Sequence, residues 1–135
     1  MCLSQTERGI GNLYRLGNRS LENLEGVHPD LVAVVERAIS LTPQDFTVLE
    51  GLRTLDRQKE LVADGKSTTL NSRHLTGHAV DIAPWPISWD WDKFYPIADA
   101  MKEAAQELDV DIEWGGDWRN FPDGPHWQLS WRTYP

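Results

Sequence analysis

The alternating segment at residues 79–83 constrains the fold of this chain more than any other feature. Successive side chains of a β-strand point to opposite faces, so Val80 and Ile82 share one face and Asp81 lies between two alanines on the other. The apolar face suits a hydrophobic core, and the small alanines leave space beside the carboxylate. A buried carboxylate needs a cation or a hydrogen-bond donor. His74, in the polar loop before the strand, is placed to share that cation.

A second segment near the end of the chain carries another histidine. The predicted strand at residues 126–129 alternates, so His126 and Gln128 point to one face and the apolar residues point to the other. Asp123 precedes His126 in a turn rich in proline and glycine. This turn is able to hold the Asp123 carboxylate beside whatever His126 binds.

Two imidazoles and one carboxylate form a ligand set that suits Zn²⁺, at distances of roughly 2.0–2.2 Å. Three protein ligands leave a fourth position for water, which is typical of catalytic zinc, and the ion brings the pKa of that water to about 7. Asp123 is then the expected general base, which takes the proton and passes it to the leaving amine of an amide bond. Co²⁺ and Mn²⁺ remain alternatives.

Each part of this pattern also has an ordinary structural interpretation. A histidine at the start of a strand is often just hydrogen-bonded, and an aspartate in a strand is often paired with an arginine. The flanking residues S-x-H-x-x-G-x-A-x-D, W-G-G-D-W and D-x-P-H-W make the whole pattern much more specific than either pair alone.

The rest of the chain mixes helical and strand patterns. Helices are predicted at residues 20–24, with Ser20 as N-cap, at 29–40, at 54–64, with Thr54 as cap, and within 91–108, where Pro96 favours a start later than Trp91. Strands are predicted at residues 46–52, 79–83, 112–114 and 126–129. This order favours an α+β fold with a small antiparallel sheet flanked by helices, in one domain over residues 1–135.

Composition excludes several classes of partner. The formal net charge of −8 argues against nucleic acid, because phosphate binding needs clustered Lys and Arg. No stretch approaches the roughly 18 apolar residues of a membrane span, so membrane insertion is not expected. The first ten residues do not resemble a secretory signal, and the lone Cys2 has no partner for an internal disulfide. We expect a monomer.

At these motifs the sequence resembles the zinc D-Ala-D-Ala carboxypeptidase and L-alanyl-D-glutamate endopeptidase family, whose fold is shared with the hedgehog signalling domain. The resemblance covers about residues 21–129. It implies His74, Asp81 and His126 as Zn²⁺ ligands and Asp123 as catalytic base. The family's arginine corresponds to Arg53, in Gly51-Leu52-Arg53-Thr54, which implies a cation that stabilises the oxyanion.

The resemblance also implies which groups touch the substrate. Ser72 is expected to hydrogen-bond the substrate or to brace His74, and Gln58, which follows the arginine segment, is expected to contact the substrate. An Asp at the base position is similar to the endopeptidase branch, which includes many bacteriophage endolysins. The implied partner is the peptide stem of bacterial peptidoglycan.

Three functions remain open at this point. The first is an endolysin that hydrolyses the L-alanyl-D-glutamate bond, made in the host cytoplasm and released to the cell wall or periplasm during lysis. The second is a D-Ala-D-Ala carboxypeptidase or dipeptidase, which needs a basic pocket for a terminal carboxylate. The third is a non-catalytic binding module that keeps its zinc.

Several other side chains have two interpretations each. His78 is either a residue that supports the metal ligands or a plain strand histidine, and His28 is expected to start a helix before Pro29. Asp117 either touches the substrate or bonds only the Gly-Gly turn. Three tryptophans are expected either to line the cleft or to pack in the core: Trp114, Trp118 and Trp127.

Overall fold

The computed structural model describes residues 4–6, 8–9 and 12–135, and its central feature is a four-stranded antiparallel sheet. The helices are α1 (Asn18–Asn23), α2 (Pro29–Leu41), α3 (Leu55–Ala63) and α4 (Trp91–Leu108). The strands are β1 (Ser4–Thr6), β2 (Arg8–Gly9), β3 (Phe46–Glu50), β4 (Ala79–Pro84), β5 (Ile112–Trp114) and β6 (His126–Leu129). The sheet has the order β3-β4-β6-β5, and β1 pairs with β2. The predicted α+β class is therefore confirmed.

Two features of the chain fall partly or wholly beyond these residues. Cys2 lies outside the described residues, as does part of the segment behind the prediction of no secretory signal. Among the described residues, no helix combines the length and the apolar character that crossing a membrane requires.

Helices α2 and α4 share one hydrophobic core with the sheet. The apolar positions predicted for α2 are all buried: Leu31, Val34, Val35, Ala38 and Ile39. In β4, Val80 and Ile82 join the same core, as the alternation of that strand predicts. Each such aliphatic side chain contributes roughly 1.5–3 kcal/mol by leaving water. This burial fixes which face of the sheet remains open for Asp81.

The start of α1 differs from its prediction. The helix begins after Gly17, so Ser20 lies inside it and is not its N-cap. Ser20 is buried, and its hydroxyl accepts a hydrogen bond from the backbone N–H of Val48 at 2.9 Å. The serine therefore joins α1 to β3, a long-range contact that local sequence patterns do not reveal.

The start of α4 also differs from its prediction. The helix begins at Trp91, because the Asp90 carboxylate accepts a hydrogen bond from the backbone N–H of Asp92 at 3.0 Å. Pro96 lies within the helix and gives up one backbone hydrogen bond. Core contacts of Phe94 and Ile97 on either side of it hold this turn against α2 and the sheet.

The register of the sheet brings the polar residues of three strands together. Asp81 of β4 lies opposite His126 of β6 and, across an irregularity in β3, opposite Glu50. Directly opposed residues of antiparallel strands project from the same face, with Cβ atoms about 4.5–5.5 Å apart. The open face of the sheet thus carries an acid, an imidazole and a second acid side by side.

Candidate metal centre

Two histidines and one aspartate converge on the open face of the sheet. Asp81 comes from β4, His126 from β6, and His74 from the short 3₁₀ helix Arg73–Thr76, within the segment predicted to be a loop. Nε2 of His74 lies 3.3 Å from Oδ1 of Asp81, and Nδ1 of His126 lies 3.4 Å from the same oxygen. One ligand atom from each side chain lies within 4.8 Å of the others. The three residues predicted as ligands are therefore neighbours.

Hydrogen bonds hold His74 in one orientation. Its Nδ1 lies 2.8 Å from the carbonyl oxygen of Gly51. A carbonyl oxygen only accepts, so Nδ1 carries the hydrogen and Nε2 presents its lone pair to Asp81. The Ser72 hydroxyl accepts the backbone N–H of His74 at 3.1 Å, which caps the 3₁₀ helix and fits the bracing role expected for Ser72.

A chain of three side chains orients His126 in the same way. Its Nε2 lies 2.8 Å from Oε1 of Gln128, and the amide nitrogen of Gln128 lies 3.4 Å from the Glu113 carboxylate. Because a carboxylate only accepts, the amide nitrogen of Gln128 faces Glu113 and its carbonyl faces His126. His126 therefore carries its hydrogen on Nε2 and presents the lone pair of Nδ1 to Asp81.

This arrangement requires a positive charge at its centre. Two nitrogen lone pairs face one carboxylate oxygen, and acceptors that face each other repel unless a proton or a metal ion lies between them. Burial raises the pKa of Asp81, but when His126 and His74 carry such a proton, their hydrogen bonds to Asp81 outweigh burial and hold this pKa well below its usual range. Burial lowers the pKa of His126, but Asp81 outweighs it and the pKa is raised. The donor set thus fits a divalent cation.

Asp123 lies beside this cluster, in the turn before β6. Its backbone N–H donates to Gly115 at 2.9 Å, and its carbonyl accepts from the backbone N–H of His126 at 3.2 Å. A Cβ on Gly115 would lie only 2.5 Å from the Asp123 carbonyl oxygen, so the W-G-G-D segment needs glycine there. Burial and the charge of Asp81 raise the pKa of the Asp123 carboxyl, which faces the cleft.

Arg53 reaches the cluster from the end of β3. Its Nη2 lies 3.6 Å from Oδ2 of Asp81 and 2.6 Å from Oε1 of Glu50, and its Nε donates to the other Glu50 oxygen at 3.1 Å. The side-chain carbonyl of Gln58 accepts a hydrogen bond from Nη1 of Arg53 at 2.7 Å. Glu50 and Gln58 therefore hold the guanidinium in place from two sides.

Gln58 is buried, whereas direct contact with a substrate requires an exposed side chain. The residue is 0 % exposed, and its amide nitrogen donates to the Ser67 hydroxyl and to the carbonyl of Thr69. With both ends of the amide engaged, Gln58 contacts Arg53 and the following loop. Its expected role in substrate contact stays a prediction, and its visible contact is with Arg53.

The cluster opens into a cleft of about 760 Å³. Three exposed aromatic residues line it: Trp118, Phe121 and Trp131. The Trp118 ring lies 5.1 Å from the His126 ring between centroids, so Trp118 is the one of the three undecided tryptophans that faces the cleft. Trp114 and Trp127 stack on each other at 5.6 Å in the core.

The other undecided residues lie away from the metal-ligating cluster. His78 contacts the Thr76 hydroxyl at 2.6 Å, and its ring lies 5.5 Å from that of His28. His28 is the N-cap of α2, as expected. Asp117 forms an ion pair with Lys102 at 2.9 Å.

Four supporting groups around the ligands were not predicted. The carbonyl of Gly51 carries no side-chain signal, and Glu50 lies three residues before Arg53, where no residue pattern marks it as the partner of the guanidinium. The alternation of β6 puts Gln128 on the same face as His126 without indicating a role, and its partner Glu113 is visible only once the β5–β6 register is known.

An α+β fold with two histidines and one aspartate at the base of an open cleft defines a candidate metalloenzyme. A model of the phage L-alanyl-D-glutamate peptidase family matches residues 12–128. The chain therefore belongs to the phage L-alanyl-D-glutamate peptidase family.

Individual relatives agree with this assignment. The chain is 34% identical over 128 residues to the L-alanyl-D-glutamate peptidase of Escherichia phage T5, with 90% of this chain and 93% of that one covered. It is 30% identical over 121 residues to the L-alanyl-D-glutamate peptidase of Listeria phage A118, and the match covers 87% of this chain and 43% of that protein. The crystal structure of the Serratia marcescens L-Ala D-Glu endopeptidase ChiX has 52% sequence identity and a TM-score of 0.85, covering 90% and 93% of the two chains.

Proposed function

We propose that this chain is a zinc-dependent endopeptidase that hydrolyses the L-alanyl-D-glutamate bond in peptidoglycan stem peptides. One observation carries the metal part: the far nitrogen of each of the two histidines faces a carbonyl acceptor, which leaves the near nitrogen of each ring to meet the Asp81 carboxylate. The family and the printed names of its relatives support the bond.

Zinc fits this site better than harder cations. Imidazole nitrogen and a single carboxylate suit Zn²⁺, whereas Mg²⁺ and Ca²⁺ prefer sites built from oxygen. A bound zinc ion would supply Lewis-acid chemistry and would lower the pKa of water bound to it. His74, Asp81 and His126 would hold it, and the cleft that these residues line gives a substrate access to the site.

The chain's own residues then move the proton and balance the charge. The Asp123 carboxylate takes a proton from the attacking water and delivers it to the nitrogen of the departing D-glutamyl residue. Its raised pKa suits a group that must hold that proton between the two steps. Arg53 stabilises the oxyanion that develops on the scissile carbonyl, because a fixed cation is worth most where charge appears.

Two further residues support this machinery. Ser72 fixes the backbone of His74 and also lines the cleft, so its hydroxyl is available to the peptide. Gln58 acts through Arg53, whose guanidinium it holds together with Glu50.

We further propose that the chain works as a phage-type endolysin, a single catalytic domain and a monomer, made in the host cytoplasm and released to the cell wall during lysis. Names of relatives from two phages support the phage setting. The substrate is the wall peptide, with no role for nucleic acid or for insertion into a membrane.

Digestion of purified peptidoglycan tests the proposal. Mass spectrometry of the products should show new D-glutamate amino termini, and chelation of the metal should abolish them. Release of free D-alanine would instead identify a carboxypeptidase. A protein that retains zinc and binds the wall but cleaves nothing would identify a non-catalytic module.

A further inference from the structure

A second cation lies in the wall of the same cleft, and the mechanism above does not use it. Arg73 precedes the ligand His74 in the chain and is only 5% exposed. Its guanidinium carbon lies 3.9 Å from the centre of the Trp131 ring, which stacks over it. Both residues line the cleft that contains the metal-ligating cluster.

Hydrogen bonds engage only one of the three nitrogens of this guanidinium among the described residues. Nη2 donates to the carbonyl oxygens of Leu129 and Tyr134. Nε is enclosed and has no partner among the described residues, and Nη1 makes no hydrogen bond there but keeps some accessible surface. Unsatisfied buried donors are uncommon, and each calls for an explanation.

Arg73 also lacks an acidic partner at ion-pair distance in the described part of the chain. Glu113 acts on the Arg73 charge only from beyond ion-pair distance. The chain has 21 acidic residues against 13 Lys and Arg, so carboxylates are plentiful. Four other arginines do have such partners: Arg37 with Glu107, Arg53 with Glu50, Arg57 with Glu60 and Arg132 with Asp111.

A buried cation without a counter-ion is costly. A guanidinium that lies in the wall of a substrate cleft without a counter-ion therefore points to an anionic ligand in that cleft. The proposed substrate carries such an anion close to the reacting bond. D-Glutamate has two carboxyl groups, and extension of the peptide through one of them leaves the other free. We infer that Arg73, oriented by Trp131, binds the free carboxylate of the D-glutamyl residue on the leaving side of the scissile bond.

This inference rests on the proposed function, and it extends that function to recognition of the substrate. The carboxylate accepts a hydrogen bond from Nη1, while Nη2 stays anchored to Leu129 and Tyr134. The carbonyl anchors and the stacked indole hold the guanidinium still, so little side-chain entropy is lost on binding.

Cleavage of paired synthetic stem peptides tests the inference. The two peptides differ only in whether the D-glutamyl residue carries a free carboxylate or a carboxamide. For the unmodified protein, kcat/KM should be about 10- to 100-fold higher for the acid, mainly through KM, because one charge-assisted hydrogen bond is lost with the amide. Arg73→Gln should cleave both peptides about equally. The control Arg132→Gln alters a side chain that is 88% exposed and should keep the preference.

Several results would overturn the inference. The first is an equal kcat/KM for the acid and the amide peptide with the unmodified protein. This result needs no variant, and so it is independent of the two backbone hydrogen bonds that Arg73→Gln would also remove. A folded Arg73→Gln protein, checked by thermal melting, that still prefers the acid also overturns it. A third peptide, amidated only at its C-terminus, should be cleaved like the acid, and a loss confined to that peptide would assign Arg73 to a terminal carboxylate instead.

Failure of the proposed function gives a different result. If no peptide is cleaved, the peptidase proposal fails, and calorimetry with Asp123→Asn protein still decides the subsite. Binding of the acid about 10-fold or more tighter than the amide supports the Arg73 subsite, and equal binding refutes it.

Discussion

Replacing Gln128 by Leu should weaken zinc binding without touching a ligand. The side chain of Gln128 accepts the Nε2 hydrogen of His126 at 2.8 Å, and both residues are less than 9% exposed, so water cannot easily take its place. Loss of such a supporting acceptor typically costs 10- to 100-fold in metal affinity. We therefore expect the zinc dissociation constant to rise about 10- to 100-fold, or about 1.4–2.7 kcal/mol.

The metal-free protein should also lose stability. An imidazole N–H left unsatisfied in a buried position costs about 1–3 kcal/mol, so the free energy of unfolding should fall by that amount. Competition with a chromophoric chelator measures the affinity, and urea denaturation measures the stability. Gln106→Leu makes the same chemical change at an exposed position of α4 and should alter neither. A folded Gln128→Leu protein with a zinc affinity within threefold of the original would refute the role given to the His126–Gln128 bond.

Three further changes probe the site and the fold. Asp123→Asn should reduce kcat by about 10²–10⁴-fold on a defined stem peptide while elemental analysis still finds the metal, and unchanged kcat would remove Asp123 from the mechanism. Gly115→Ala should lower kcat, and it should lower the free energy of unfolding by about 1–3 kcal/mol, because the added Cβ meets the Asp123 backbone. The control is Gly17→Ala, whose added Cβ has no neighbouring atom within 4 Å. The hydrogen bond to Asp30 raises the pKa of Tyr134 to about 12. This favours the neutral phenol in the folded state, so stability should fall as pH rises from about 10 to 12. In the Tyr134→Phe protein the free energy of unfolding should fall less over this pH range, as measured by denaturation at each pH.

Two of the three residues in the candidate metal cluster were predictable from the sequence because local periodicity determines where strand side chains point. In β4 and β6, alternation alone separates Asp81 and His126 from the apolar residues that enter the core. Imidazole and carboxylate side chains on one face then suggest a metal, whatever the rest of the fold. The general-base role given to Asp123 rests on the family resemblance and on its position beside His126, and it stays a prediction.

The groups that hold those ligands in place were not predictable, because they depend on long-range pairing. Gly51 contributes only a backbone carbonyl, and the Gln128–Glu113 contact depends on how β5 pairs with β6. Ser20 was assigned to a cap by a local rule, but its hydroxyl serves a strand 28 residues away in sequence. Local patterns thus identified the side chains of the candidate metal cluster, and tertiary contacts determined how they are oriented.

Titration of zinc into metal-stripped protein, with cleavage of a defined L-alanyl-D-glutamate peptide as the readout, tests the central claim most directly. Cleavage should be absent without metal and should rise to a plateau at one zinc ion per chain, and His126→Ala protein should show no response. Full activity in folded, metal-free protein would contradict a mechanism built on His74, Asp81 and His126.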